Sequence, residues 1–129
     1  MYSRARSEPW QIEIEPEVRQ WLELLPDQHY DRAERAADML AAAPTTLGEP
    51  FSRHLGGGLR ELRFVLEGNA VRITYWLAPG RRIVLLTVFR KTRQRETAEI
   101  ERAHQAQKVC EADHPPAAHS YDRAKEERP

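Results

Sequence analysis

Two arginines and a lysine recur at matched places in three consecutive short apolar segments. Arg63 lies in Leu59-Arg60-Glu61-Leu62-Arg63-Phe64, Arg72 in Val71-Arg72-Ile73-Thr74-Tyr75, and Lys91 closes Leu85-Leu86-Thr87-Val88-Phe89-Arg90-Lys91. Strands usually bury at least one face, so cations repeated within them imply a surface kept for something negative. A guanidinium group grips phosphate oxygens with a planar fork of donors. Phosphate contacts in turn dominate affinity for nucleic acid. The chemistry these residues suit is recognition of a polyanion, RNA before others.

The charge distribution points the same way. The 129-residue chain is formally neutral. Between Arg53 and Arg95, however, ten cations stand against two acids (Glu61 and Glu67), so that segment is +8 and the remainder −8. A basic half attracts phosphate. Seventeen of the twenty cations are arginine, which favours bidentate contacts, although a biased genome composition gives the same count.

The elements that must hold these residues can be read from periodicity. Trp10-Gln11-Ile12-Glu13-Ile14 alternates like a half-buried strand. Glu15-Pro16 opens a helix with Val18, Trp21, Leu22 and Leu25 on one face, ended by Pro26. Asp27 is expected to cap a second helix with Tyr30, Ala33, Ala36, Ala37 and Leu40 on its face, stopping before Pro44. Residues 44–58 read as a loop. Three strands follow at about 60–66, 71–77 and 82–89, then a helix over about 94–110 with Ile100, Ala103, Ala106 and Cys110 as its stripe. Such short connections force antiparallel neighbours. The expected fold class is α+β, with an antiparallel sheet of about four strands. The two N-terminal helices lie on one face of it. Residues 1–9 are expected to be a flexible lead-in, 10–112 the folded domain and 113–129 a disordered tail.

Counting parity predicts which way the cations point. A four-residue loop at 67–70 pairs Leu66 with Val71 and Arg63 with Thr74. Opposed residues share a face. Leu62, Phe64, Leu66, Val71, Ile73 and Tyr75 then form an apolar face, and Arg63 and Arg72 lie on the other. A type II turn at Ala78-Pro79-Gly80-Arg81 pairs Leu77 with Arg82. That adds Val84, Leu86 and Val88 to the apolar face, and Ile83, Leu85, Thr87, Phe89 and Lys91 to the cationic one. The last helix would cover Trp76, Ile83 and Leu85. A one-residue bulge would break this parity.

On these residues the chain resembles the RelE/ParE toxin superfamily, in particular its HigB-type, phage-derived branch. The resemblance covers about residues 10–107. It rests on the element order and on Gly-Leu-Arg-Glu-Leu-Arg-Phe (58–64), Val-Arg-Ile-Thr-Tyr (71–75) and Leu-Leu-Thr-Val-Phe-Arg-Lys-Thr (85–92). It implies a toxin of a type II toxin–antitoxin module. Such a toxin is an mRNA interferase cleaving messenger RNA, usually on the ribosome, and is neutralised by a cognate antitoxin, often of helix-turn-helix type. It further implies that Arg63, Arg72 and Lys91 are catalytic, stabilising charge as the RNA 2′-hydroxyl attacks the adjacent phosphate. Arg60, Arg90 and Arg93 are expected to bind RNA. No general acid or base is assigned: Tyr75 falls on the core face, His54 sits in the glycine-flanked loop, and His104 lies on the last helix.

Plainer readings stand beside these. Arg63 and Arg72 can pair with Glu61 or a helix carboxylate as structural bridges, and Lys91 can be a solvated strand end. Trp10, Trp21 and Trp76 read as core contacts. Gly56-Gly57-Gly58 is no phosphate loop, since no Lys-Ser/Thr follows. The histidines and the single Cys110 show no metal-ligand spacing, and no cofactor is expected. One cysteine, no signal-peptide pattern and no membrane-length apolar run lead to the expectation of a cytoplasmic protein. Two rival functions stay open: a gyrase inhibitor without nuclease chemistry, as the ParE branch implies, and an inactive toxin-like binding module.

Overall fold

The computed structural model describes residues 8–92 and 96–113. Their elements run β1 (Gln11–Ile14), α1 (Pro16–Glu23), α2 (Asp27–Ala42), β2 (Ser52–Gly56), β3 (Leu59–Leu66), β4 (Asn69–Ala78), β5 (Arg82–Arg90) and α3 (Glu96–Asp113). Most of the expected lead-in (1–7) and nearly all of the expected tail (114–129) fall outside the described residues.

The fold is α+β, around a five-stranded sheet in the order β1-β5-β4-β3-β2. Two details differ from the expected four-stranded antiparallel sheet. β1 runs parallel to β5, because α1 and α2 carry the chain away before it returns. The segment expected to be loop contains β2, which pairs antiparallel with β3. Gly57 and Gly58, at φ 62° and 83°, make the two-residue reversal between them. Consecutive left-handed residues suit the right-handed twist of a hairpin, and glycine adopts them without strain.

α1 starts with Pro16 at its first position, as expected. α2 departs from expectation: Pro26 stands at the cap, Asp27 is the first helical residue, and no side chain caps the end. Asp27 still places a negative charge in the first turn. α1 and α2 pack on one sheet face. There Val18, Ala33, Ala36 and Leu40 meet Leu62, Phe64, Ile73, Tyr75, Ile83 and Leu85, with Trp10 and Trp21 against the edge of the cluster. α3 packs on the opposite face over Leu59, Trp76, Val84 and Leu86, through Ala103 and Cys110. Trp76 Nε1 donates to Cys110 Sγ at 3.2 Å.

The register explains which parity expectations survive. The β3–β4 turn has two residues, Glu67 and Gly68, and not four, so Leu66 faces Asn69 and Arg63 faces Arg72. The slip is of two residues, and a period-two pattern is unchanged by it. At the next turn Ala78 faces Arg82, a slip of one. Ile83 and Leu85 therefore join the α1/α2 core, while Val84 and Leu86 lie under α3, the reverse of expectation. Then a bulge intervenes. Tyr75 faces Leu85 but Thr74 faces Thr87, leaving Leu86 extra. The bulge reverses the parity again, so Val88, Thr87, Phe89 and Lys91 return to the faces counted for them.

Candidate phosphate-binding site

The apolar contacts under α3 gather at one end of its sheet face, at Leu59, Trp76, Ala78, Val84 and Leu86. The rest of that face carries charge. Arg63 on β3 and Arg72 on β4 are directly opposed. Glu61 lies two residues before Arg63 and so shares its face, with Arg53 of β2 opposite it. Lys91 follows β5, its backbone N–H donating to the Ala70 carbonyl at 2.9 Å.

Glu61 is the centre of this cluster and is completely buried, at 0 % exposure. Its Oε2 lies 3.5 Å from Arg63 Nε and 3.6 Å from Arg72 Nε. These are ion pairs without hydrogen-bond geometry: among the described residues, both Glu61 carboxylate oxygens and both Nε atoms lack a hydrogen-bond partner. Burial pushes the Glu61 pKa up, against the opposing pull of Arg72 and Arg63; Glu96 adds to the rise and Arg53 opposes it. Arg72 is shifted down, first by burial and then by the positive charge of Arg63. The opposed charges are thus only partly compensated, with two guanidiniums against one carboxylate. Arg72 also donates from Nη1 to the Val71 carbonyl at 3.2 Å. Beside the pair, Thr74 and Thr87 share a hydroxyl hydrogen bond of 2.6 Å, holding β4 to β5 at the bulge.

Glu96, the first residue of α3, ties the cluster together. Its Oε1 lies 3.3 Å from Lys91 Nζ, and its charge acts on both Glu61 and Arg72. Arg63, Arg72 and Lys91 are thus brought to one face.

The other named cations are not gathered there. Arg60 faces Tyr75, which puts it on the α1/α2 side, where Nη1 donates to the Pro44 carbonyl at 3.0 Å. Arg90 faces Val71 on that same side and reaches Asn69 Oδ1 at 3.4 Å. Arg93 lies outside the described residues. His54 is exposed opposite Arg60, and Tyr75 is fully buried with its hydroxyl on Ser52 Oγ, so neither belongs to the cluster. Burial raises the Tyr75 pKa, against the lowering pull of the Ser52 contact and of Arg60. Among the described residues no group of His, Cys, Asp and Glu is arranged to hold a metal ion.

The sequence marks Glu61 as a counter-ion for structural bridges, and those bridges form. What it does not reveal is that the carboxylate is fully buried between both arginines. The signal was present in the i, i+2 spacing of Glu61 and Arg63 in an alternating strand, which forces a shared face. Glu96 had no such signal, since its place depends on how α3 returns.

A model of the family described as phage-derived protein Gp49-like matches residues 20–108. No curated protein matches the chain. Among solved structures, the chain is similar to a free double-arginine mutant of the toxin RelE from E. coli, with TM-score 0.53 and 10% identity, covering 74% of this chain and 94% of that one. It is also similar to a chain of the toxin–antitoxin complex RelBE2 from Mycobacterium tuberculosis, with TM-score 0.50 and 19% identity, covering 64% and 92%. At these identities the likeness is one of fold.

Proposed function

Because the chain belongs to the phage-derived Gp49-like family and has a RelE-like fold, we propose that it is the toxin of a type II toxin–antitoxin module, acting as an endoribonuclease on messenger RNA. The observation that carries the nuclease reading is the direct opposition of Arg63 and Arg72 over a buried, incompletely paired Glu61, on the α3 side of the sheet.

The RNA 2′-hydroxyl attacks the adjacent phosphorus. The O2′–P bond forms, the P–O5′ bond breaks, a proton leaves the 2′-hydroxyl and one reaches the departing 5′-oxygen. Negative charge accumulates on the non-bridging oxygens in the transition state. Preorganised guanidinium donors stabilise that charge without reorganising. Arg63 and Arg72 have this role, and Lys91 supplies a third positive charge at the strand end. Glu61 orients the pair from beneath and has no route to substrate. Tyr75, buried on the opposite face, takes no part in proton transfer.

The partners follow from this reading: mRNA, the ribosome that presents it, and a cognate antitoxin of helix-turn-helix type, as in the HigB branch. No described helix is long and apolar enough to cross a membrane, and the proposed site of action is the cytoplasm.

The test is growth and RNA integrity after induction of the wild type and of Arg63→Ala/Arg72→Ala in a bacterial host. Arrest with fragmented messenger RNA, both lost in the variant, is the expected result. Arrest with intact RNA would replace the nuclease by a gyrase-type inhibitor, and no arrest would leave an inactive binding module.

A further inference from the structure

An open cavity of about 340 Å³ adjoins the arginine pair, and Phe51 and Val65 form its apolar walls. Both are unusually exposed for their type, at 44 % and 53 %. Arg63 and Arg72 line the same cavity, and Arg32 stands at its rim, held over the Phe64 ring at 5.7 Å. The lining contains three arginines and no carboxylate.

The backbone fixes Phe51 beside Arg63. The Phe51 carbonyl accepts the Arg63 N–H at 2.9 Å, although Phe51 precedes β2. The next residue, Ser52, turns its hydroxyl to Tyr75 on the α1/α2 side. Val65 lies two residues beyond Arg63 on the same strand and shares its face. An aromatic ring and an aliphatic wall thus flank a paired-arginine anion site.

Single-stranded nucleic acid alternates phosphates with bases, so a subsite that holds a phosphate has a base within one nucleotide of it. Proteins take such bases on aromatic faces beside cationic grooves. The cavity lies at the small end for ligand pockets, which begin near 300 Å³, suiting one nucleotide and not a helix of a partner protein. Granting RNA as the substrate, as proposed above, we infer that Phe51 is a base-stacking platform: it takes the nucleobase next to the phosphate held by Arg63 and Arg72, against Val65.

The experiment is equilibrium binding of a short 2′-O-methyl RNA, which cannot be cleaved, to the wild type, Phe51→Ala, Phe51→Trp and Arg63→Ala/Arg72→Ala. It is repeated with oligomers carrying one abasic position, scanned along the strand. Loss of one stacked base weakens binding roughly 5- to 150-fold. Phe51→Ala should show a loss of that order, Phe51→Trp should retain affinity, and one abasic position should make the wild type and Phe51→Ala equal. If Phe51→Ala binds like the wild type, or loses the same factor on every abasic oligomer, the platform does not exist and the patch belongs to a protein partner such as the antitoxin. In that case a loss confined to Arg63→Ala/Arg72→Ala would leave the nuclease reading intact. If the wild type binds no RNA, both inferences fail together.

Discussion

The two faces of the sheet are built on opposite principles. Toward α1 and α2, apolar side chains interlock and the few polar groups find partners, as Tyr75 does on Ser52 and Arg60 on the Pro44 carbonyl. Toward α3, one end is equally apolar, but the other buries a carboxylate between two guanidiniums, its oxygens and both Nε atoms without a hydrogen bond among the described residues. A buried ion pair is weak evidence of stabilisation, because desolvation offsets much of the attraction. The contrast teaches that one face holds the fold together by packing, while the other concentrates charge that is only partly compensated.

Substitutions can break this contrast. The largest expected effect is on the α1/α2 side. Leu62 is fully buried there, and Leu62→Ala should lower the unfolding free energy by about 2–5 kcal/mol, read from urea denaturation. RNA affinity of the folded fraction should not change. Equal destabilisation by Leu62→Ala and Arg63→Ala would abolish the distinction between the faces.

Next comes the buried pair. Arg72→Ala leaves Glu61 with Arg63 as its nearer remaining partner, so the loss should fall at the low end for a broken buried pair, about 3 kcal/mol or less. Its pH dependence is the sharper readout. The folded-state pKa of Glu61 is raised above the ordinary carboxylate value. Its contribution to stability is therefore least favourable above that raised pKa and improves as pH falls toward the unfolded value. Removing Arg72 raises it further. The Arg72→Ala deficit, measured by urea midpoints, should shrink between neutral pH and about pH 5, and Glu61→Gln/Arg72→Ala should show no such recovery. A deficit constant with pH would show that Arg72 contributes by packing alone.

The smallest effect belongs to Lys91, which is partly exposed and paired with Glu96. Lys91→Gln should weaken binding of the uncleavable RNA a few-fold and reduce the slope of log affinity against log salt by about 0.7, one single-strand phosphate contact. A slope equal to that of the wild type would remove Lys91 from the contact surface.

Much of the architecture was legible because period-two alternation is redundant. Six apolar residues from Leu62 to Tyr75 mark one face whichever even register the turn adopts. For this reason Arg63 and Arg72 share a face whether the turn has two residues or four. Odd shifts carry no such protection: one residue at Pro79–Arg81 sufficed to exchange Ile83 and Leu85 with Val84 and Leu86. β2 was obscured because Ser52-Arg53-His54-Leu55-Gly56 has little alternation of its own and is held by pairing with β3. The site was half legible. Residue types announced the cations, but the burial of Glu61 and the return of Glu96 depend on long-range packing.

The extra Leu86 in β5 also bears on which changes of length the chain can accept. Upstream of it, the strand is indexed to the hydrophobic core; downstream, Phe89 and Lys91 are indexed to the arginines. Deleting that one residue would make the ladder regular: Thr87 would stay opposite Thr74, and Val88, Phe89 and Lys91 would keep their present faces. The bulge is thus slack in the strand, a place where one residue of length can be given up without turning its far end over.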